Sequence, residues 1–172
     1  MRYKLMVGIF FVIAFSSIYL VKIARTDQAL PLANEKGFNM KLVEDGRYLI
    51  KIAGCNDCHT AGYLQANGKV PVESWLMGDI FGWKGPWGTT YGTNLRLLVA
   101  DLTETEWIEI SKALESRPPM PWFNFNAMKA SDLRSIYQFV RFLGPGGKSA
   151  PNYLPPDKEP QGPHAIFPAP HQ

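Results

Sequence analysis

Cysteine is nearly absent: of 172 residues, only Cys55 and Cys58 carry a thiol. Histidine is scarce too, and two of the three, His164 and His171, stand among prolines near the C-terminus. A structural zinc site takes about four Cys or His ligands, so it lacks candidates here. No third cysteine remains for thiolate ligation, and a disulfide across two intervening residues would close a tiny loop and gain little. A basic excess is also missing. The formal charge is +3, but residues 1–33 hold all of it, in Arg2, Lys4, Lys22 and Arg25 against Asp27. The rest balances 14 basic against 14 acidic side chains, which leaves no electrostatic footprint for nucleic acid. There is no internal repeat, and the length suits one modest domain with extensions.

What is present is concentrated in Cys55-Asn56-Asp57-Cys58-His59-Thr60. C-x-x-C-H is the pattern of covalent haem c attachment. Two thiols must add to two vinyl groups of one haem from the same side, and positions i and i+3 of a helical turn meet that demand. The following histidine then offers an imidazole to the iron as proximal ligand. A thioredoxin-like pair would follow a strand in a βαβ setting, whereas the residues before Cys55 have helical periodicity. From about Met40, apolar residues recur at Leu42, Val43, Leu49, Ile50 and Ala53, with Glu44, Asp45, Arg47 and Lys51 on the other face. Gly46 falls on the apolar side, where a glycine costs helix stability unless another element must approach closely.

The N-terminus has the charged start and apolar middle of an export signal. Leu5 to Val21 is uncharged, and its 17 residues span roughly 26 Å at about 1.5 Å per residue. That is slightly short of a ~30 Å hydrocarbon core, but Lys4 and Lys22 can snorkel. The preferred reading is an uncleaved anchor over residues 5–21 at the periplasmic side of a bacterial inner membrane. The alternative is a soluble periplasmic protein after signal cleavage. Residues 1–33 are thus taken as signal anchor or signal peptide plus linker, 34–145 as the domain, and 146–172 as a Pro-rich tail, disordered or draped over the domain.

After Thr60 periodicity dissolves until about Asp101, in a long loop rich in glycine that also holds Trp75, Trp83 and Trp87. Such a loop suits a compact domain if it lies on a flat cofactor. Trp87, Tyr91, Asn94 and Arg96 are of the types that hydrogen-bond propionates. Thr103-Glu104-Thr105-Glu106 is a capping box opening a second helix, with Trp107, Ile110, Ser111 and Leu114 as its inner stripe. A third helix is expected from a cap at Ser131 to Leu143, ended by Gly144-Pro145, with Tyr137 on its apolar face. Between them lies Pro119-Met120-Pro121-Trp122. The flanking prolines fix an extended backbone, which can press a thioether onto iron, so Met120 is the candidate distal ligand. Met128 reads as core filler.

In these residues the chain resembles the monohaem class I cytochromes c. It is most similar to small exported cytochromes that act as, or partner with, cytochrome subunits of periplasmic dehydrogenases. The resemblance covers about residues 40–145 and rests on the C-x-x-C-H run, Gly88-Thr89-Thr90-Tyr91, Pro119-Met120-Pro121-Trp122 and the last helix. The 61-residue step from His59 to Met120 fits as well. The long 61–100 loop, the N-terminal anchor, the C-terminal tail and the single attachment site depart from it. It implies an all-α fold, three to four helices around one haem, with the first and last helices crossing where Gly46 faces Tyr137. It also implies His59 and Met120 as axial pair, and a one-electron carrier rather than an enzyme. Its partners would be redox proteins such as a periplasmic dehydrogenase or terminal oxidase. The rival reading is a haem enzyme or gas sensor with an open distal site.

Overall fold

The computed structural model describes residues 37–168. The apolar segment 5–21 and His171 lie outside them. Among the described residues no helix is long and apolar enough to cross a membrane.

Helix α1 (Met40–Ile52) begins where Asn39 Oδ1 accepts from the backbone N–H groups of Lys41 and Leu42, at 3.1 and 3.3 Å. Its apolar stripe buries Val43 and Ile50 completely. Against it packs α6 (Ala130–Leu143), which contributes the buried Leu133, Ile136, Phe139 and Val140. The helices meet at Gly46. A Cβ there would lie 2.0 Å from the Ser135 carbonyl oxygen and 2.8 Å from Phe139 Cβ. The glycine that looked costly is what lets two backbones touch. Its neighbours are Ser135 and Phe139, not the expected Tyr137, whose hydroxyl instead donates to the Leu102 carbonyl at 2.9 Å.

The other helices are shorter: α2 (Cys55–His59), α3 (Leu95–Ala100), α4 (Glu104–Ala113) and α5 (Trp122–Ala127). The Thr103–Glu106 capping box forms as expected. Ser131 is not the cap of α6, because the helix starts a residue earlier and its Oγ donates to Asp132. Helix α4 is tied to α6 by Glu104, whose carboxylate accepts from Arg134 Nε at 2.6 Å and Gln138 Nε2 at 2.8 Å.

The all-α expectation is overturned by a three-stranded mixed sheet. Strands β1 (Gly82–Gly85) and β2 (Gly88–Tyr91) form an antiparallel hairpin, and β3 (His164–Ile166) pairs in parallel with β1. Each strand is only three or four residues long, too short for an alternating run to announce it. The third strand comes from the Pro-rich tail, which is draped rather than loose. Thr89 and Leu154 exchange backbone hydrogen bonds at 2.8 and 3.0 Å, and Lys84 pairs with Glu159. Phe167 packs on Trp83 and Trp87.

Two outcomes are expected. Gly46→Ala gains helix propensity, about 1 kcal/mol, but sets a methyl inside a backbone carbonyl that cannot swing away. Overpacking of this kind costs ~1–3 kcal/mol or more, so denaturant unfolding should show net loss of stability. For Glu104, burial opposes ionisation, but the bonds from Arg134 and Gln138 and the Arg134 charge outweigh it, and the carboxyl lies below its ordinary value. Its stabilisation is therefore complete above the ordinary glutamate value of about 4.3 and lost as pH falls through the lowered folded value. Thermal melts of Glu104→Gln should fall below wild type at neutral pH and converge with it in acid.

Candidate functional site

Gly54, in the left-handed region at φ 70°, breaks α1 and turns the chain into α2. That single turn sets Cys55, Cys58 and His59 along the wall of a cavity of about 470 Å³, within the ~300–1,000 Å³ usual for small-molecule and cofactor sites. Its lining is mostly aliphatic and aromatic, including Ile50, Leu95, Trp107, Leu114 and Ile136.

The motif is pinned from behind. Asn56 is fully buried, and its Oδ1 accepts from Thr60 Oγ1 at 2.7 Å. That hydroxyl in turn accepts from the Leu76 N–H at 2.8 Å, and the His59 carbonyl accepts from the Gly78 N–H at 2.8 Å. Gly92 lies so close that a Cβ would stand 1.8 Å from the Cys58 carbonyl oxygen. This approach brings the next residue to the imidazole: His59 Nδ1 lies 2.7 Å from the Thr93 carbonyl oxygen. A carbonyl only accepts, so Nδ1 carries the proton and Nε2 keeps its lone pair. Burial lowers the His59 pKa, with the Thr93 bond acting the other way, and the ring is held neutral. A neutral imidazole with Nδ1–H fixed on a carbonyl is the state of a metal-ligating histidine.

The thiols point away from redox chemistry. Burial, helped by the Asp57 charge, pushes Cys55 up to about 12 and Cys58 up to about 11, and the two are not bonded to each other. Nucleophilic and exchange-active cysteines have lowered values.

Met120 lines the same cavity, with Pro119 and Pro121 beside it. Its segment is tied at both sides. Thr90 Oγ1 donates to the Pro118 carbonyl at 2.7 Å, while Asn126 Nδ2 donates to the Ser111 and Leu114 carbonyls at 2.7 and 3.2 Å. Met128 also reaches the cavity, but it packs against the hydrophobic core, and Met120 does not. Met40 packs on the core as well, and Met77 lies against Gly146 and Gly147.

Of the four residues expected to face propionates, only Tyr91 lines the cavity. Trp87 turns to Phe167, at 5.6 Å between ring centroids. Asn94 caps α3 and donates to the Gly146 and Lys148 carbonyls at 2.8 and 3.0 Å. Arg96 donates to the carbonyls of Gly144, Glu73 and Leu143, at 2.5, 2.7 and 2.7 Å. Their polar character was legible, but their partners come from a segment about 50 residues away, which local sequence does not disclose. Three lining residues went unnoticed as donors: Trp83, Ser111 and Arg117. Trp83 Nε1 and Ser111 Oγ are buried with no hydrogen-bond partner among the described residues. The hairpin was the missing signal, because its register sets Trp83 opposite Thr90.

Arg96→Leu should strand three carbonyls, two of them at the end of α6. Arg96 is buried, but the carbonyls belong to half-buried Leu143 and Gly144 and to exposed Glu73, so each lost bond costs nearer the low end of about 1–3 kcal/mol; a drop in unfolding free energy is expected, while any spectrum of a group bound in the cavity stays as in wild type. Protein-family models, curated proteins and solved structures were compared with the chain, and none matches it.

Proposed function

We propose that this protein is a one-electron carrier with one haem c, which Cys55 and Cys58 would hold by thioether bonds and whose iron His59 and Met120 would ligate. The observation that carries the reading is the fixed His59 tautomer, with Nδ1 on the Thr93 carbonyl at 2.7 Å, in a cavity that both thiols and Met120 also line. The residues fit the group. The thiols sit three positions apart on one turn, the walls are apolar, and a soft thioether is available in the same cavity.

When bound, haem supplies a ferric/ferrous couple. The chain's own residues hold it still and dry. His59 offers Nε2 with its orientation fixed by Thr93, so the ring need not reorganise between oxidation states. The Thr90 and Asn126 bonds hold the Met120 segment against both neighbouring elements, which supports a closed iron site over an open one. Trp107, Leu114 and Ile136 give the cavity apolar walls that would exclude water from a bound haem. Function here rests on the site and not on the fold class. Donor and acceptor would be exported redox proteins, such as a periplasmic dehydrogenase or terminal oxidase. Residues 5–21, outside the described region, would tether the carrier to the membrane.

A pyridine haemochrome assay on protein matured in an export-competent host should report one covalent haem per chain. In that material Met120→Ala should lose the methionine-to-ferric-iron charge-transfer band and bind carbon monoxide rapidly when ferrous, whereas Met128→Ala should do neither. Absence of covalent haem from the wild type would sink the proposal. Rapid carbon monoxide binding by the wild type would sink its closed-site part.

A further inference from the structure

The segment that carries Met120 cannot lock itself. It joins α4 to α5 without regular structure, and Pro118, Pro119 and Pro121 have no N–H to give. Contacts from elsewhere in the chain must help to hold it, and two side chains provide them. Thr90 Oγ1 donates to the Pro118 carbonyl at 2.7 Å, and the Arg117 guanidinium lies on the Tyr153 ring with Cζ 3.9 Å from the centroid.

Both contacts lead to the Pro-rich tail. Tyr153 belongs to it directly. Thr90 stands on β2, and its neighbour Thr89, fully buried, exchanges backbone hydrogen bonds with Leu154 at 2.8 and 3.0 Å. The tail lies tight against the hairpin at this point: a Cβ on Gly88 would stand 2.3 Å from the Leu154 carbonyl oxygen and 2.9 Å from Tyr153 Cε2. The Tyr153 hydroxyl donates to the Trp87 carbonyl at 2.8 Å, which fixes the ring that Arg117 covers. The tail is made fast on either side of these residues. Asn94 donates to the Gly146 and Lys148 carbonyls, and β3 pairs with β1. Tyr153 and Leu154 are thus the middle of a strap held at both ends.

We propose that the tail is a brace for the distal ligand, with Tyr153 and Leu154 as positioning residues that hold the Met120 segment at the cavity wall. The assignment rests on the haem reading with Met120 as axial ligand. It gives a task to the C-terminal tail, a feature in which the chain departs from the cytochromes it resembles. The two contacts differ in weight. Arg117 is exposed, so its stacking on Tyr153 is a modest contact. The Thr89–Leu154 bonds lie on a fully buried residue, where loss of a partner leaves a carbonyl without water. Leu154 therefore bears more of the brace than Tyr153.

The test uses the full chain loaded with haem in the ferric state. It reads the methionine-to-iron charge-transfer band, the rate at which imidazole displaces Met120, and the far-ultraviolet unfolding midpoint. Tyr153→Leu should speed imidazole exchange roughly two- to fivefold, the worth of one exposed cation–ring contact. Tyr153→Phe, which keeps the ring, should speed it less. Arg117→Leu should match Tyr153→Leu, and the double variant should exchange no faster than either single. Leu154→Pro removes the donor to the Thr89 carbonyl and should speed exchange about tenfold, with the band lost at a lower temperature than the helices. If that variant folds poorly, Tyr153→Leu and its double-variant cycle carry the test. Arg96→Leu is the control for stability alone: its midpoint should fall while exchange stays as in wild type. Exchange at the wild-type rate in the Tyr153→Leu and Leu154→Pro variants, or band loss only together with global unfolding, would overturn the brace and leave the Met120 reading intact. A wild-type protein with covalent haem but no charge-transfer band would instead remove the reading on which the brace rests.

Discussion

Gly46 allows α1 and α6 to lie backbone against backbone, and the placement of the Cys55–His59 turn in the cavity follows from that contact. Helix α1 ends two residues before α2, so fixing α1 on α6 fixes where Cys55, Cys58 and His59 emerge. Helix α6 ends at Leu143, where Arg96 gathers the last carbonyls. Arg96 stands three residues after Thr93, the acceptor for His59. The crossing thus positions His59 from one side and the carbonyl that orients its ring from the other. A side chain at position 46 would prise the helices apart and loosen both.

Polar groups in this domain act mainly as fasteners. Asn56 and Thr60 lock the back of the turn that bears Cys55, Cys58 and His59, Asn94 and Arg96 clamp the chain after α6, and Asn126 holds the Met120 segment to α4. Asn94, Arg96 and Asn126 spend their donors on backbone carbonyls, and Thr60 donates to Asn56. A buried polar side chain in a loop-rich domain has many such carbonyls within reach, and each must find a partner. That competition explains why Asn94 and Arg96 are withdrawn from the cavity. Among the buried side-chain donors left unmatched in the described residues, Trp83 Nε1 and Ser111 Oγ belong to residues that line the cavity.

The small sheet changes the role of two segments. Residues 82–91 act as a wall with a defined register, and the Pro-rich segment completes that wall with β3 and with aromatic contacts. Prolines suit this use, since a stretch without helical options lies extended across a surface at little entropic cost.

Local features were legible in the residues alone. The turn bearing Cys55, Cys58 and His59, the Thr103–Glu106 box and the apolar stripes of α1 and α6 all depend on residues within a few positions of each other, which spacing and propensity reveal. Pro-flanked Met120 was legible as a cavity residue on similar grounds. Only the tertiary structure decided what is set by distant contacts. The all-α expectation failed because β3 joins β1 from about 80 residues away, and the partner of Gly46 proved to be Ser135 and Phe139 instead of Tyr137. Arg96 is withdrawn from its anticipated place at the cavity for the same reason: a donor faces a cavity or a carbonyl according to which distant backbone folds over it.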